Sequence, residues 1–373
     1  MEKLLIFHPA VMPYRIDLFN NLSQCFNSKF FFYWRYNLNQ KMDEKLLLSK
    51  LKFEPLYLDG NSRILNRKVR IGVVNIIRKE NADVVIMGEY SINTFLAYIT
   101  KKLFRLKCKI YTICDDSKDI AESVKGCRKI GRDFLESRLD GIILTNNEVL
   151  DYYKNNLKQK KLIAFPIIQN ENSFRDELLT GLTLSNQFVE KYKLKNKKVY
   201  MYVGRLTLVK NIFFLIECFN ELLVSNKDII LILVGEGDQR EALEEYVNLL
   251  KISNHIIFVG RCDGVELKAW YNIGQIFILP SSLEPFGAVT NEALLSGQYV
   301  LCSKAAGSSC LINKSNGSLF SHTNYSELVN LMLVYSEKIS PIGLIILRDS
   351  KMDMTFIESF QKLLFFLKNQ YGD

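Results

Sequence analysis

The chain has 373 residues, of which 48% are hydrophobic and 24% are charged. This length is too great for one ordinary core, so we expect about two domains, and the composition excludes extended disorder. The formal net charge is +9, and the whole excess lies in residues 1–185, which hold 30 lysines and arginines against 21 carboxylates. No nucleic-acid recognition motif accompanies these basic residues, so nucleic acid is not an expected partner.

The N-terminus and the cysteines indicate where the protein works. Only four consecutive apolar residues precede His8, which is too few for a secretion signal. No uninterrupted apolar run approaches the roughly 18 residues of a membrane-spanning helix. The eight cysteines form no Cys-x-x-Cys pair and the histidines number three, which argues against a zinc site. We therefore expect reduced thiols in a cytoplasmic protein with no bound metal.

Three clusters carry most of the basic excess, at residues 63–79, 101–109 and 125–132. For any single cluster, a solvated helix face is the expected structure. Taken together, the clusters also fit an anionic membrane surface on the cytoplasmic side, or an acceptor that carries a lipid pyrophosphate. We keep both interpretations.

The first half of the chain alternates strands with helices. Apolar runs predict strands at residues 4–7, 30–34, 84–87, 109–113, 141–144 and 162–165. Helices are predicted between them, for example at residues 14–25 and 93–104. This alternation is typical of a parallel, doubly wound α/β domain, which we assign to residues 1–168.

Ligands collect at the carboxyl ends of the strands in such a sheet. Tyr14 and Arg15 follow the first predicted strand, and Arg15 is either a ligand-facing residue or a surface arginine. Glu89 follows a second strand. Asp115 and Asp116 follow a third, where they either orient a ligand hydroxyl or cap the next helix. These five residues are the candidate ligand contacts of the first domain.

Residues 167–182 interrupt the alternation with polar turn formers, and we place the connection between the domains there. Strand and helix alternation then resumes and predicts a second domain over residues 169–353. Its predicted strands are residues 199–203, 229–234, 255–259, 275–279 and 299–303, and two of its helices are residues 211–223 and 239–250. Residues 354–373 form a last segment, in which residues 356–367 have helical apolar spacing.

One strand, loop and helix stretch in the second domain is the most informative. Glu284 and Glu292 are separated by seven intervening residues, with Glu284 in the loop and Glu292 on the helix, so both can line one crevice. Between them, Phe286, Gly287 and Ala288 offer backbone N–H groups at a helix N-terminus, which is a common anion site.

A glycine turn ends the first strand of the second domain. Gly204 allows close backbone approach, while Arg205 and Lys210 place fixed positive charge at the entrance of the next helix, as a diphosphate requires. The later Gly235-Glu236-Gly237 turn lacks the third glycine of a dinucleotide fingerprint. We interpret that turn as architectural.

Together these motifs resemble the retaining glycosyltransferases of family 4, which have the GT-B fold of two Rossmann-like domains facing a cleft. The family's Glu-x7-Glu signature stands here as Glu284-Pro-Phe-Gly-Ala-Val-Thr-Asn-Glu292, and its G-R-L-x-x-x-K pattern as Gly204-Arg205-Leu206-Thr-Leu-Val-Lys210. A P-Y-R-x-x-L-F pattern is present from Pro13 to Phe19. After Glu292 the chain departs from the family, because Ala305-Ala306-Gly307 replaces the usual glycine pair and acidic residue.

The resemblance implies roles for these residues. Arg205 and Lys210 would hold the pyrophosphate of a nucleotide-diphosphate sugar, Glu284 would hold the hydroxyls of the sugar, and Glu292 would accept from the ribose. The last helix would cross back to the first domain, which binds the acceptor. The five candidate ligand contacts of that domain would then be acceptor or cleft residues. The further donor contacts that the resemblance implies are Gly204, Phe286, Gly287, Ala288, Arg261 and Cys262.

The function implied is transfer of a sugar to a glycan or to a lipid-linked saccharide, with retention of anomeric configuration. The setting would be bacterial surface polysaccharide synthesis, for lipopolysaccharide or capsule, without an obligate metal cofactor. Two alternatives remain open. One is a nucleotide-sugar 2-epimerase of the same fold, and the other is a non-catalytic protein that binds a nucleotide sugar or a membrane surface.

Overall fold

The computed structural model of the chain describes residues 1–35, 44–58, 62–64, 67–69, 72–156 and 161–368, with the backbone alone for residues 62–64 and 67–69. The chain divides into two compact units. One unit is Met1–Ile167 together with Ile357–Asp373, and the other is Ile168–Phe356. Of the three basic clusters, the one at residues 63–79 has most of its basic residues outside the part of the chain whose side chains are described.

The first unit is built by strands and helices in alternation. In chain order its elements are β1 (Lys3–His8), α1 (Ile16–Cys25), β2 (Asn27–Phe32), α2 (Glu44–Ser49), β3 (Pro55–Tyr57), β4 (Ser62–Ile64), β5 (Arg67–Val69), α3 (Gly72–Glu80), β6 (Val84–Gly88), α4 (Ile92–Leu103), β7 (Lys109–Cys114), α5 (Lys118–Ser123), α6 (Gly126–Glu136), β8 (Gly141–Leu144), α7 (Asn147–Asn156) and β9 (Leu162–Ala164).

These strands form a parallel sheet in the order β3-β2-β1-β6-β7-β8-β9, while β4 and β5 form a separate antiparallel pair. Apolar runs such as Val84–Gly88 are buried along their whole length, because helices cover both faces of a parallel sheet. The central strand β1 pairs with β2 on one side and β6 on the other. Strands β2 and β3 therefore lie on one side of β1, and strands β6 to β9 lie on its other side.

The second unit repeats this organisation. Its elements are α8 (Glu171–Lys191), β10 (Lys198–Val203), α9 (Ile212–Ser225), β11 (Ile229–Val234), α10 (Arg240–Leu249), β12 (Ile256–Gly260), α11 (Gly264–Ile273), β13 (Ile276–Leu279), α12 (Val289–Leu295), β14 (Tyr299–Ser303), β15 (Gly317–Phe320) and α13 (Tyr325–Glu337). Its sheet is parallel, in the order β12-β11-β10-β13-β14-β15. The predicted class of two doubly wound α/β domains is confirmed.

Helix α8 corrects the prediction of a turn-rich connection at residues 167–182. Asn170 caps the helix, since its side chain accepts from the backbone N–H groups of Asn172 and Ser173. The helix then runs for 21 residues and packs against α11. A Cβ at Gly181 would lie 3.0 Å from the Ala269 backbone nitrogen, so the missing side chain lets the two helices approach closely.

The last helix is α14 (Phe356–Leu367), and Ile357 onward belongs to the first unit. The Phe366 ring lies 5.4 Å from the ring of Tyr111 on β7. The Lys368 ammonium lies 5.4 Å from the centre of the Phe26 ring. None of the described helices combines the length and the apolar composition that crossing a bilayer requires.

Candidate functional site

Glycines bring the strand-end loops of the second unit close together. The loop after β11 is hydrogen-bonded to β12, since the Gly235 N–H donates to the Gly260 carbonyl at 2.8 Å. A side chain at Gly235 would collide with the carbonyl oxygen of Gly204, and one at Gly237 with that of Leu206. The two glycines of the Gly-x-Gly turn therefore let the loops after β10 and β11 pack backbone to backbone.

Lys210 and Glu284 form an ion pair at this edge of the sheet. Lys210 ends a 3₁₀ turn, Leu208–Lys210, after β10, and Glu284 lies in the loop after β13. The Ser282 N–H donates to the Val209 carbonyl at 2.9 Å, which ties the two loops together. The paired side chains are only 11% and 13% exposed. An ammonium has three N–H donors, so Lys210 retains donors for a ligand while it holds Glu284.

Arg205 is exposed, and within the described residues its guanidinium has neither a hydrogen bond nor an ion pair. Its carbonyl accepts from the buried Tyr202 hydroxyl at 2.9 Å. Burial raises the pKa of Tyr202 and the Glu284 charge raises it further, whereas the Arg205 charge lowers it. Arg205 and Glu284 therefore lie within electrostatic reach of one buried phenol.

The Glu284 loop is held by the segment that departs from the family pattern. The Gly307 N–H donates to the Glu284 carbonyl at 3.0 Å, and the Ser308 N–H donates to the Phe286 carbonyl at 2.7 Å. Gly287 has a φ of 93°, and a Cβ there would lie 3.1 Å from Cγ of Glu284. Glycine is needed at this position, both for the left-handed backbone and to leave room for the Glu284 side chain.

Glu292 lies on helix α12, as predicted, and its two carboxylate oxygens have separate partners. Nε2 of Gln169 donates to one oxygen at 2.6 Å, and the Tyr271 hydroxyl donates to the other at 2.7 Å. The Gln169 N–H also donates to Asn291 at 2.9 Å. Burial, and then the Glu292 charge, raise the pKa of Tyr271, so this phenol stays protonated and donates. Sequence reasoning missed Gln169 and Tyr271.

The backbone N–H groups of Phe286, Gly287 and Ala288 precede α12. In the described part of the chain, none of these three N–H groups donates a hydrogen bond to a backbone carbonyl of a turn or loop. They are therefore available to an anion, as the sequence suggests, although α12 itself has only seven residues.

Arg261 and Cys262 follow β12 at the same edge of the sheet. The Arg261 guanidinium is partly exposed and donates to Asp263 at 2.9 Å. Cys262 is buried, and burial raises the pKa of its thiol to about 12. The thiol is therefore neutral at physiological pH. A ligand at this position would contact the backbone of Cys262 and not a thiolate.

In the first unit, Arg15 is not a surface arginine. It is 1% exposed and forms an ion pair with Asp115. The guanidinium carbon lies 5.9 Å from the centre of the Tyr14 ring. Burial and the Arg15 charge together lower the pKa of the nearby His8 to about 4. Arg15 therefore fixes the position of Asp115, which makes no helix cap.

Asp116 does not cap a helix either, because Ser117 is the cap of α5. Its partner is Arg132, at 2.8 Å. Arg132 belongs to the basic cluster at residues 125–132, yet it is buried rather than solvated. It also pairs with Glu136 at 2.9 Å and donates to the Tyr153 hydroxyl. The expectation of a solvated helix face is wrong for this residue.

Glu89 has a φ of 64°, in the left-handed region that side chains other than glycine rarely adopt. Its carboxyl accepts from the Asp115 N–H at 3.2 Å. Burial first, and then the charges of Asp115 and Asp116, raise the pKa of Glu89 to about 8. At neutral pH this side chain is therefore mainly a carboxylic acid, which both donates and accepts hydrogen bonds.

Among the described residues, Glu89, Cys114 and Asp116 are the group with metal-ligand chemistry, since their ligand atoms lie within 4.8 Å of one another. The Arg132 guanidinium contacts both Cys114, at 3.5 Å, and Asp116. Burial raises the pKa of the Cys114 thiol well above its usual range. A metal ion would have to displace the guanidinium and deprotonate the thiol, so these residues fit a metal poorly.

Comparison with known proteins places this geometry in context. Residues 185–337 match the family Glycosyl transferases group 1. An uncharacterized glycosyltransferase of Methanocaldococcus jannaschii is 34% identical over 112 residues, which are 30% of this chain and 28% of the relative. The matched parts of the first three curated relatives are 28%, 30% and 43% of their own lengths.

Two of the similar solved structures cover 98% or more of the chain. A glycosyltransferase from Rickettsia africae superposes with a TM-score of 0.76 at 17% identity, over 100% of this chain and 99% of its own. Anabaena HepE in complex with UDP gives a TM-score of 0.71 at 16% identity, over 98% and 95%. The chain therefore has the GT-B fold, and the stretch that matches the Glycosyl transferases group 1 family holds Arg205, Lys210, Glu284 and Glu292.

Proposed function

We propose that the protein transfers a sugar from a nucleotide-diphosphate sugar to a saccharide or lipid-linked saccharide, with retention of anomeric configuration. The observation that carries this proposal is the Lys210–Glu284 ion pair together with the unpaired Arg205. These residues supply a carboxylate for sugar hydroxyls and two cations for a diphosphate at one edge of one sheet. The structurally similar Anabaena HepE is in complex with UDP, which supports a nucleotide as a ligand of this chain.

The reaction breaks the bond between the sugar's anomeric carbon and the diphosphate oxygen. A bond from that carbon to the acceptor oxygen forms on the same face, and the acceptor's proton passes to the departing diphosphate. Arg205 and Lys210 stabilise the charge that develops on the diphosphate, and Glu284 orients the sugar. Glu292 accepts hydrogen bonds from the ribose hydroxyls, because each of its oxygens has a lone pair that Gln169 and Tyr271 do not use. Because two cations already meet the diphosphate, no metal ion is required.

The acceptor belongs to surface polysaccharide synthesis at the cytoplasmic face of the membrane. Two features support this part of the proposal. The basic excess of the chain lies in residues 1–185. In addition, Ile99 and Leu103 on α4 are 38% and 71% exposed, beside the exposed Lys102. Exposed apolar and basic side chains on one helix suit an anionic lipid surface.

Alanine substitutions of the two cations test the mechanism. Arg205→Ala and Lys210→Ala should each lower turnover about 10²–10³-fold, as expected when one transition-state donor is lost. Release of the nucleoside diphosphate and formation of the product are measured with a panel of nucleotide sugars. Excess chelator should leave turnover unchanged, and NMR identifies the anomer that is formed. Lys197→Ala is the matched control, because Lys197 precedes β10 at the opposite end of the same strand and pairs with Asp228.

Wild-type turnover in both cation variants would overturn the mechanism. Isomerised nucleotide sugar without diphosphate release would instead identify a 2-epimerase. Binding of a nucleotide sugar without either reaction would identify a non-catalytic binding protein.

A further inference from the structure

A pocket of about 870 Å³ lies within the first unit, at the carboxyl ends of β6 and β7 and between α4 and α6. Its volume falls in the range of ligand pockets, roughly 300–1,000 Å³. The ion pairs of the second unit do not line it. Its lining includes Glu89, Asp116, Phe95, Lys125, Arg128 and Gly131.

One side of the pocket is polar but locally neutral. Glu89 is mainly a carboxylic acid at neutral pH, since its pKa is raised to about 8. Asp116 is held at 2.8 Å by Arg132, which also lines the pocket. This arrangement offers fixed hydrogen-bond donors and acceptors with little net charge, which is the chemistry that sugar hydroxyls require.

Another side carries unneutralised positive charge. Lys125 and Arg128 are exposed, and no carboxylate in the described part of the chain pairs with either of them. Lys129, on the same helix, pairs with Asp133 at 3.2 Å and does not line the pocket. Two adjacent cations without a carboxylate suit a phosphate group.

The remaining wall is apolar. Ile92 and Phe95 from α4 and Leu135 from α6 line the pocket. The Phe95 ring is 38% exposed and lies 5.5 Å from the ring of Phe134. Such a wall contacts the face of a sugar ring or the first carbons of an alkyl chain.

We propose that this pocket binds a glycosyl phosphate, with the ring hydroxyls at Glu89 and Asp116 and the phosphate at Lys125 and Arg128. Its assignment as the acceptor of the transfer rests on the proposed function. A free sugar phosphate and a lipid-linked one share this chemistry, so the test includes both.

The exposed thiol of Cys127 lines the pocket and reports its occupancy, while the exposed Cys310 in the second unit is an internal control. Alkylation by iodoacetamide is followed at both thiols by mass spectrometry. The probes are the 1-phosphates of glucose, galactose, mannose and N-acetylglucosamine, their octyl phosphodiesters, and the free sugars. At least one phosphate-bearing probe should slow alkylation of Cys127 fivefold or more and leave Cys310 unchanged. Protection by the octyl diesters alone would identify a lipid-linked ligand.

Two variants separate binding from a general effect on the fold. A Cβ at Gly131 meets no atom within 4 Å, so Gly131→Trp fills the pocket without a backbone clash. Ile130→Trp places the same side chain on the exposed neighbour outside the lining. Gly131→Trp should abolish protection and transfer, and Ile130→Trp should retain both. Arg128→Glu should weaken protection by phosphate-bearing probes at least tenfold, and Lys129→Glu should leave it unchanged.

The outcomes distinguish this inference from the proposed function. If no phosphate-bearing probe protects Cys127, or if Gly131→Trp transfers sugar at the wild-type rate, the pocket is not the acceptor site and the transferase proposal stands. If Cys127 is protected but no nucleotide sugar is consumed, the pocket assignment stands and the transferase proposal fails.

Discussion

The strand-end edges of the two sheets both collect charged residues, but they use them differently. In the first unit, Arg15 and Arg132 are buried, and each is paired with carboxylates. In the second unit, Lys210 is paired with Glu284, while Arg205 is exposed and has no partner among the described residues. The first set of charges is paired within the protein and fixes its shape. The second set keeps a cation available to a ligand.

This difference has an energetic consequence. Burying a charge is costly, so removal of one partner of a buried pair leaves an uncompensated ion. Removal of an exposed, unpaired cation leaves nothing uncompensated. Substitution of Arg132 should therefore affect folding, and the same substitution of Arg205 should affect chemistry.

The largest contrast is expected between Arg132→Met and Arg205→Met. Loss of Arg132 leaves Asp116 and Glu136 without their cation and should lower the free energy of unfolding by about 3–5 kcal/mol. Loss of Arg205 should change the free energy of unfolding by no more than about 0.5 kcal/mol, while turnover falls about 10²–10³-fold. Urea denaturation measures the first quantity, and diphosphate release measures the second. Equal destabilisation by the two variants would contradict the comparison.

A second contrast concerns Glu89, whose pKa in the folded protein is about 8 instead of 4.5. Between these values the folded state keeps a proton that the unfolded state has lost. Its contribution to stability is therefore complete below pH 4.5 and disappears as the pH rises through 8. Each unit of pKa difference corresponds to about 1.4 kcal/mol, so the total effect is a few kcal/mol.

Glu89→Gln should flatten the fall in unfolding free energy between pH 6.5 and 8. The lower limit avoids His8, whose pKa is lowered to about 4 and whose contribution is instead lost as the pH falls below 6.5. Asp115, Asp116 and Arg15 face Glu89 and are unchanged in the variant. Glu122→Gln, at an exposed carboxylate on α5, is the control. An unaltered slope in Glu89→Gln would show that Glu89 is ionised at neutral pH.

The smallest contrast lies within the second unit. Tyr271→Phe removes a hydrogen bond to the Glu292 carboxylate, and bonds to charged groups contribute about 1.5–3 kcal/mol. Tyr200→Phe removes a bond to the neutral Met332 carbonyl, which contributes about 0.5–1.5 kcal/mol. Thermal unfolding of both variants gives the comparison. If Tyr200→Phe costs more, the Tyr271 hydroxyl is not needed to hold Glu292.

The strands were the most predictable part of the fold. Residues 229–234 and 299–303 are predicted as strands with the bounds that the structure gives to β11 and β14. Strands buried on both faces read as continuous apolar runs. The short strand β15, Gly317–Phe320, has two partly exposed central residues and no such run. Sequence reasoning therefore did not find it.

Helix α8 shows why the secondary structure of the connection between the units was misread. Its buried residues Phe174, Leu178, Ser185 and Phe188 recur at helical spacing, but polar residues separate them. The burial of this face depends on α11, where Trp270 stacks on Phe188 at 4.6 Å. Local composition indicates turns, and only the neighbouring helix turns the weak pattern into a packed surface.

The functional site likewise has a part that the sequence predicts and a part that it does not. Arg205, Lys210, Glu284 and Glu292 lie in short motifs next to predicted strands, and the sequence alone was enough to name them. Their partners could not be named, because Gln169 and Glu292 are 123 residues apart and Lys210 and Glu284 are 74 apart. Arg132 looked like a surface cation until the fold buried it beside Asp116.

The sequence by itself determined the alternation of apolar strands with helices and the motif residues at the strand ends, because both depend on local spacing along the chain. The tertiary structure decided which charges are neutralised, which carboxyl group keeps its proton and which arginine remains exposed. Those properties depend on burial and on partners distant in the chain, and a pattern of neighbouring residues does not encode them.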